Sequence, residues 1–324
     1  MPFQTFDELN TEAMRLYQQG QYAEMYDLLT SEGDRFTGPD EAYMTRYLRS
    51  CMAARIGRPD LAIGLIQESF DRGEWYGEQL LRTSPSYAPL QGVPEFELLV
   101  EVGRAKQAEA SAPREPLVLE PEGGCTSERA CPTMLALHGN TERAQSALDG
   151  WRPIVAQGWL LAAGHSSQAA AYNRYVWDDQ DVALRDTEAQ FGKLRERYNI
   201  DPARLIVAGF SLGGATALHV ALTGTIPAAG FILLGPGGGL MFEPERWRPL
   251  IAQAAGKGLR GYMLLGEHDD EGLAEGARAT VEMLNEGGIP CGFEVIPGTG
   301  HAYPADFGPM IARALAFVEQ SPQG

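Results

Sequence analysis

Cysteine is scarce in this chain of 324 residues: Cys51, Cys125, Cys131 and Cys291 are all it has. Their spacing lacks the paired CxxC of a zinc site, so no structural metal is expected. A cytoplasmic setting would keep them as thiols, although Cys125 and Cys131 share one Gly-rich loop in which pairing stays open. Long apolar runs are missing as well, none approaching the roughly 18 residues that cross a bilayer. The opening MPFQTFDELNTEAMRLYQQG has no basic start followed by an apolar stretch. It reads as an amphipathic helix rather than a secretory signal, and a cytoplasmic location is expected. Positive charge is short too: 26 bases stand against 43 acids, for a net charge of −17. That balance repels phosphate backbones and anionic lipid, which argues against nucleic acid and membrane surfaces as partners.

What is present suits a soluble globular chain, with 44% hydrophobic and 21% charged residues. The length predicts two domains. Up to about residue 108 apolar residues recur at helical spacing, as in Ala13, Leu16 and Tyr17, then Tyr22, Met25, Leu28 and Leu29. Gly20 breaks the first helix pair and Gly57 breaks a second in a like place, where Pro59 and Asp60 restart the helix. Helix pairs at that interval resemble degenerate tetratricopeptide-like repeats. The following LLRTSPSYAPLQGVPEFELLVEVGRAKQ reads as a closing loop and helix, with Phe96, Leu98 and Leu99 turned inward. The small, proline-bearing AEASAPREP at 108–116 is composed like an exposed connector, dividing a helical domain, 1–112, from a second domain, 113–324.

Beyond the connector, short β-rich runs alternate with amphipathic helical stretches, which predicts an α/β domain with a mostly parallel sheet covered on both faces. The strand candidates are 116–120, 133–138, 159–164, 205–210, 230–235, 262–266 and 292–296; helices are expected near 142–157, 181–198, 213–223, 245–256, 272–286 and 305–319.

Three motifs in this part carry chemistry. LIVAGFSLGGATALHVAL sets Gly209-Phe210-Ser211-Leu212-Gly213 where an apolar strand meets a helix of small residues. That is the context of a nucleophile elbow: the serine stands on a tight turn, and the flanking glycines let neighbouring segments approach. The alternative is an ordinary Gly-rich turn that binds phosphate, but the lysine of a phosphate-binding loop is absent. A serine hydroxyl needs a base, and the base needs a group to hold its tautomer. YMLLGEHDD offers Asp269 three residues past Gly266, with Glu267 and Asp270 as neighbours that an acidic loop would also contain. FEVIPGTGHAYP offers His301 before the last helix. His138, His165, His219 and His268 are less suited as the base. The developing oxyanion needs donors, and TMLALHGNTERAQS supplies the backbone N–H of Asn140, or of Gly139, to act with that of Leu212.

Taken in chain order, HG, GxSxG, Gly-x-x-Asp and His resemble the α/β-hydrolase superfamily, within it the compact esterase, phospholipase-carboxylesterase and dienelactone-hydrolase-like branch, over residues 116–324. The resemblance implies Ser211 as nucleophile, His301 as base, Asp269 as its partner, and Asn140 and Leu212 at the oxyanion positions. Two features depart from it: compact esterases usually lack a helical domain, and Asn follows HG where many have Gly or Leu. The reading is an esterase that forms an acyl-enzyme on a small-molecule acyl ester and requires no metal or organic cofactor. The alternatives are a prolyl-oligopeptidase-like peptidase and a binding scaffold whose hydrolase unit is inactive.

The loop AGHSSQAAAYNRYVWDDQDVALRD follows the third strand of the domain, on the sheet edge where ligands bind. His165, Ser166, Gln168, Tyr172 and Trp177 are therefore substrate-binding candidates, unless the loop is simply polar surface with one aromatic anchor. Between GFILLG and YMLLG, Pro236 to Gly261 leave little for a lid. The helical domain is expected to dock over the catalytic edge and limit substrate size, or else to serve stability, self-association or a protein partner.

Overall fold

The computed structural model describes residues 3–126 and 129–320. Contacts divide the chain into two compact units: 1–110 with Ala169–Tyr172, and 111–168 with 173–324.

The first unit is helical: α1 (Phe6–Gln18), α2 (Tyr22–Glu32), α3 (Pro39–Arg55), α4 (Pro59–Asp71), α5 (Glu78–Thr83) and α6 (Pro94–Ala110). Thr5 and Glu8 open α1 with a reciprocal capping box. Leu9, Ala13 and Leu16, one face at helical spacing, are buried in it. Gly20 and Gly57 close their helices alike, at φ +72° and +73°. The Gln21 N–H reaches the Leu16 carbonyl, and the Arg58 N–H the Ala53 carbonyl, the same turn used twice. On α6 the inward face is Phe96, Leu99, Val100 and Gly103. Leu98, expected inward, is 68% exposed; one residue before Leu99, it lies about 100° around the helix from that face. The short segment Ala169–Ala171 (β4) belongs to this unit: Gln107 Nε2 donates to the Ala169 carbonyl and the Gly77 N–H to that of Ala170.

The second unit is a seven-stranded sheet. Its strands are β1 (Leu117–Leu119), β2 (Cys131–Leu137), β3 (Leu160–Gly164), β6 (Ile200–Phe210), β7 (Gly230–Leu234), β8 (Arg260–Gly266) and β9 (Cys291–Ile296); the chain also forms a two-residue β5 (Arg174–Tyr175). The order is β1-β3-β2-β6-β7-β8-β9, with β1 antiparallel and the rest parallel. All seven expected strands are here. Leu135, Leu137, Val207, Phe231 and Leu233 enter one core, while Met134, Ala136, Ile206, Ala208, Ile232 and Leu234 enter the other. That alternation makes every central strand apolar on both faces, as a covered parallel sheet requires. Against the first face pack α8 (Gln180–Arg197), α9 (Leu212–Thr223), α11 (Arg248–Ala254) and α12 (Glu271–Glu286); against the second pack α7 (Ala144–Gly150) and α13 (Gly308–Val318). A one-turn α10 (Gly239–Phe242) follows β7.

Cys125 and Cys131 are joined by a disulfide. Cys51 and Cys291 are buried thiols, and burial pushes Cys291 up to about 12. Among the described residues no helix is long and apolar enough to cross a membrane.

Candidate active site

The strand order reverses at β2. Its successor β3 lies on one side and β6 on the other, so the loops leaving the carboxyl ends of β2 and β6 part and leave a crevice between them. Leu137 and Gly209 are register partners at those ends. His138-Gly139-Asn140 and Ser211 therefore emerge side by side. Ser211 is the turn between β6 and α9, with φ +54° and ψ −126°, a strained conformation for a residue with a side chain. The glycines on either side are needed for space: a Cβ on Gly209 would collide with the Gly213 backbone, and one on Gly213 with the His138 carbonyl.

Two strands further along, β8 and β9 end in register at Gly266 and Ile296. The loops beyond them are tied together, the His268 N–H donating to the Thr299 carbonyl at 2.9 Å and the Gly298 N–H to Glu267 at 2.8 Å. This brings His301 between Ser211 and Asp269. His301 Nδ1 is 2.6 Å from Asp269 Oδ1, and Nε2 is 2.8 Å from Ser211 Oγ. With the imidazole proton on Nδ1, that nitrogen donates to Asp269 and Nε2 accepts from the serine. Asp269 Oδ2 accepts the Gly266 N–H at 2.9 Å. The three neighbouring acids thus separate by partner: Glu267 holds the histidine loop, and Asp270 caps α12 by accepting the Gly272 and Leu273 N–H groups. Asp269 alone of the three bonds to the imidazole. The Phe210 ring lies 4.8 Å from the imidazole and 4.7 Å from the Tyr303 ring, backing the histidine with apolar surface.

On the β2 side the Gly139 N–H donates to Glu142 Oε2 at 3.0 Å, so of the two loop amides named as oxyanion donors Gly139 is already engaged. Asn140 remains, together with Leu212, whose N–H opens α9 and has no intrahelical acceptor. Burial pushes the Glu142 carboxyl up, opposed by the Gly139 bond and by the attraction of His301. Trp177 grips the same loop: its Nε1 donates to the His138 carbonyl at 3.0 Å and its ring lies 4.9 Å from the His138 ring.

Trp177 was expected at the substrate, but it is 0% exposed. It supports the loop from behind. Ser166, also a candidate, is buried and donates to the Val176 carbonyl. The Gln168 amide is spent on Asp179, accepting its N–H and donating to its carbonyl. The His165 backbone is clamped by Gln190, and burial lowers its imidazole to about 4, with Arg114 adding to the shift. Tyr172 belongs to the helical unit and is 40% exposed. The bonds of Ser166, Gln168 and Trp177 hold this loop's own shape. Glu142, Phe210 and the supporting role of Trp177 were not anticipated; the aromatic inside GFSLG was the one available signal.

The arrangement can deprotonate a serine hydroxyl and stabilise the resulting imidazolium through a buried carboxylate. Among the described residues no group of His, Cys, Asp and Glu is placed to hold a metal ion.

Residues 5–111 match a family described as A/B hydrolase-like, N-terminal domain, and residues 160–317 match the dienelactone hydrolase family. Among solved structures, an uncharacterized protein from Bacillus cereus ATCC 10987 is 24% identical; 97% of this chain and 99% of that chain align, at TM-score 0.54. A structure described as esterase PE8 is 19% identical over 64% of this chain and 98% of its own, at TM-score 0.50. At these identities the likeness is one of fold. No curated protein sequence matches the chain.

Proposed function

From the premise that this chain belongs to the α/β-hydrolase superfamily, with a dienelactone-hydrolase-type domain behind an N-terminal helical one, we propose that it cleaves carboxylic esters of small molecules through an acyl-enzyme on Ser211. The observation that carries this reading is the continuous line Ser211 Oγ, His301, Asp269, made by hydrogen bonds of 2.8 and 2.6 Å from a strained elbow.

In the proposed reaction His301 Nε2 takes the Ser211 proton as Oγ adds to the ester carbonyl carbon. The carbonyl oxygen becomes an oxyanion, which the amides of Leu212 and Asn140 receive. When the intermediate collapses, the carbon–oxygen bond to the alcohol breaks and the imidazolium returns its proton to the departing oxygen. Water, deprotonated by the same nitrogen, then attacks the acyl-serine and releases the acid. Asp269 keeps the imidazole proton on Nδ1 throughout and offsets the positive charge that forms.

A fluorophosphonate probe tests the reading, because it reacts with an activated serine. One label per chain, lost in Ser211→Ala, together with hydrolysis of simple aryl esters, is the expected result. An unlabelled wild-type chain that hydrolyses no ester sinks it.

A further inference from the structure

The turn after β7 carries a glycine whose lack of a side chain has no backbone cause. Gly237 is buried, and its N–H donates to the Ser211 carbonyl at 2.9 Å, fixing the turn against the elbow. A Cβ added there would have as its three nearest neighbours Ser211 Oγ at 3.4 Å, the Ser211 carbonyl carbon at 3.7 Å and Leu273 Cδ2 at 3.8 Å. These are ordinary van der Waals separations, and Gly237 is not among the residues with positive φ. Glycine is dispensable to the fold here, in contrast to Gly209 and Gly213, where a Cβ meets backbone. What its missing methyl leaves is space beside the reacting oxygen.

The chemistry assigns that space. A carbon bonded to Ser211 Oγ in the tetrahedral intermediate carries three other groups. Its oxyanion turns to the Leu212 and Asn140 amides, and its leaving oxygen must reach His301 Nε2 to recover a proton. The acyl substituent takes the remaining direction. The three nearest atoms around the space at Gly237 are the nucleophile's own oxygen, the Ser211 carbonyl carbon and a Leu273 methyl group. The Leu273 methyl group is an apolar wall next to the nucleophile, which suits a hydrocarbon substituent.

We infer that Gly237 and Leu273 bound the acyl subsite and set the size of acyl group the enzyme accepts, with Gly237 leaving room for a substituted or chain-bearing acyl carbon. This rests on the esterase reading above.

Two ester series test it on the full chain: one alcohol with acyl groups growing from acetyl to branched and longer chains, and one acyl group with growing alcohols. Rates are normalised to fluorophosphonate-titratable serine. Gly237→Ala is expected to lower kcat/KM for the largest acyl group about 10-fold or more relative to acetyl, the usual discrimination of an apolar pocket changed by one carbon. The alcohol series should keep its wild-type ratios. Leu273→Ala should shift the acyl preference the opposite way, and it decides the matter should Gly237→Ala fail to fold. Equal changes in both series, or an effect confined to the alcohols, overturn the assignment while leaving the esterase reading intact. Absence of both labelling and hydrolysis in the wild type removes the esterase reading itself.

Discussion

Asp269 is 2% exposed at its side chain and the imidazole it holds is 36% exposed, and this difference shapes what substitutions there should do. Ser211→Ala and His301→Ala each remove a member of the proton path without disturbing a core, so a folded protein with turnover reduced roughly 10³-fold or more is expected. Wild-type ester hydrolysis by Ser211→Ala at equal concentration would refute the assignment. Asp269→Asn should lose as much or somewhat less: its amide can turn a donor toward Nδ1 and force the proton onto Nε2, the wrong tautomer for a base. A different residue, His138, contributes to acid stability, as His165 does by the same burial. Burial lowers His138 to about 4 from 6.5, against the raising effect of its bond to the Gly139 carbonyl. Between those two pH values the unfolded chain binds a proton that the native state refuses, so stability is full above 6.5 and drains away as pH falls toward 4. For this nearly fully buried group the loss is roughly 3 kcal/mol. Urea unfolding of wild type and His138→Gln at pH 7 and pH 5 should show the wild type losing more on acidification; parallel losses would remove His138 from the account. While its chain order came from the family resemblance, the hydrogen-bonded line of Ser211, His301 and Asp269 was legible because acyl-transfer chemistry calls for those residue types. Glu142 and Phe210 were not, because a carboxylate three residues past HG and an aromatic inside GFSLG acquire their partners only through the packing of β2, β6 and the His301 loop.

At the scale of elements, β6 and β2 do most to define the candidate site, one ending in Ser211 and the other in the loop proposed to receive the oxyanion. Their apolar runs were unmistakable in the sequence. β4 and β5 were not, since three alanines and an Arg-Tyr pair show no alternation, and α10 is a single turn. Leu98 shows the reverse error, an apolar residue assigned to a core that its helix turns away from. The aromatic of the β5–α8 connection was visible, but its direction was not: Trp177 faces the His138 carbonyl rather than solvent. Trp177→Phe keeps the apolar bulk and removes the donor, leaving that buried carbonyl short of a partner and the loop free to shift. If the amides of this loop receive the oxyanion as proposed, their shift weakens the transition state more than substrate binding, so kcat should fall between about 10-fold and 100-fold with little change in KM. Unchanged kcat in a folded Trp177→Phe protein would mean that the loop is held without this bond.

For the molecule as a whole, the change in composition at residues 108–116 was visible in the sequence, while the excursion of Ala169–Tyr172 into the helical unit was not. Nothing in AAAY marks it, because what holds the segment is its backbone. Three hydrogen bonds fasten it there: Gln107 Nε2 to the Ala169 carbonyl at 2.8 Å, the Gly77 N–H to the Ala170 carbonyl at 2.9 Å, and the Tyr172 N–H to the Trp75 carbonyl at 2.9 Å. Ala171 is 2% exposed and part of the helical unit's core. A shortened chain beginning at Ser111 would keep every strand of the seven-stranded sheet and lose every one of these partners. Each lost bond is worth about 1 kcal/mol, and the freed peptide groups must find water instead. The segment should then become a mobile loop within an otherwise folded unit. Limited proteolysis followed by mass measurement should find cleavage within 169–172 in the shortened chain and none there in the full one, with the midpoint of thermal unfolding lowered. A shortened chain that resists cleavage at this segment and melts where the full chain does would show that the helical unit is not what orders it.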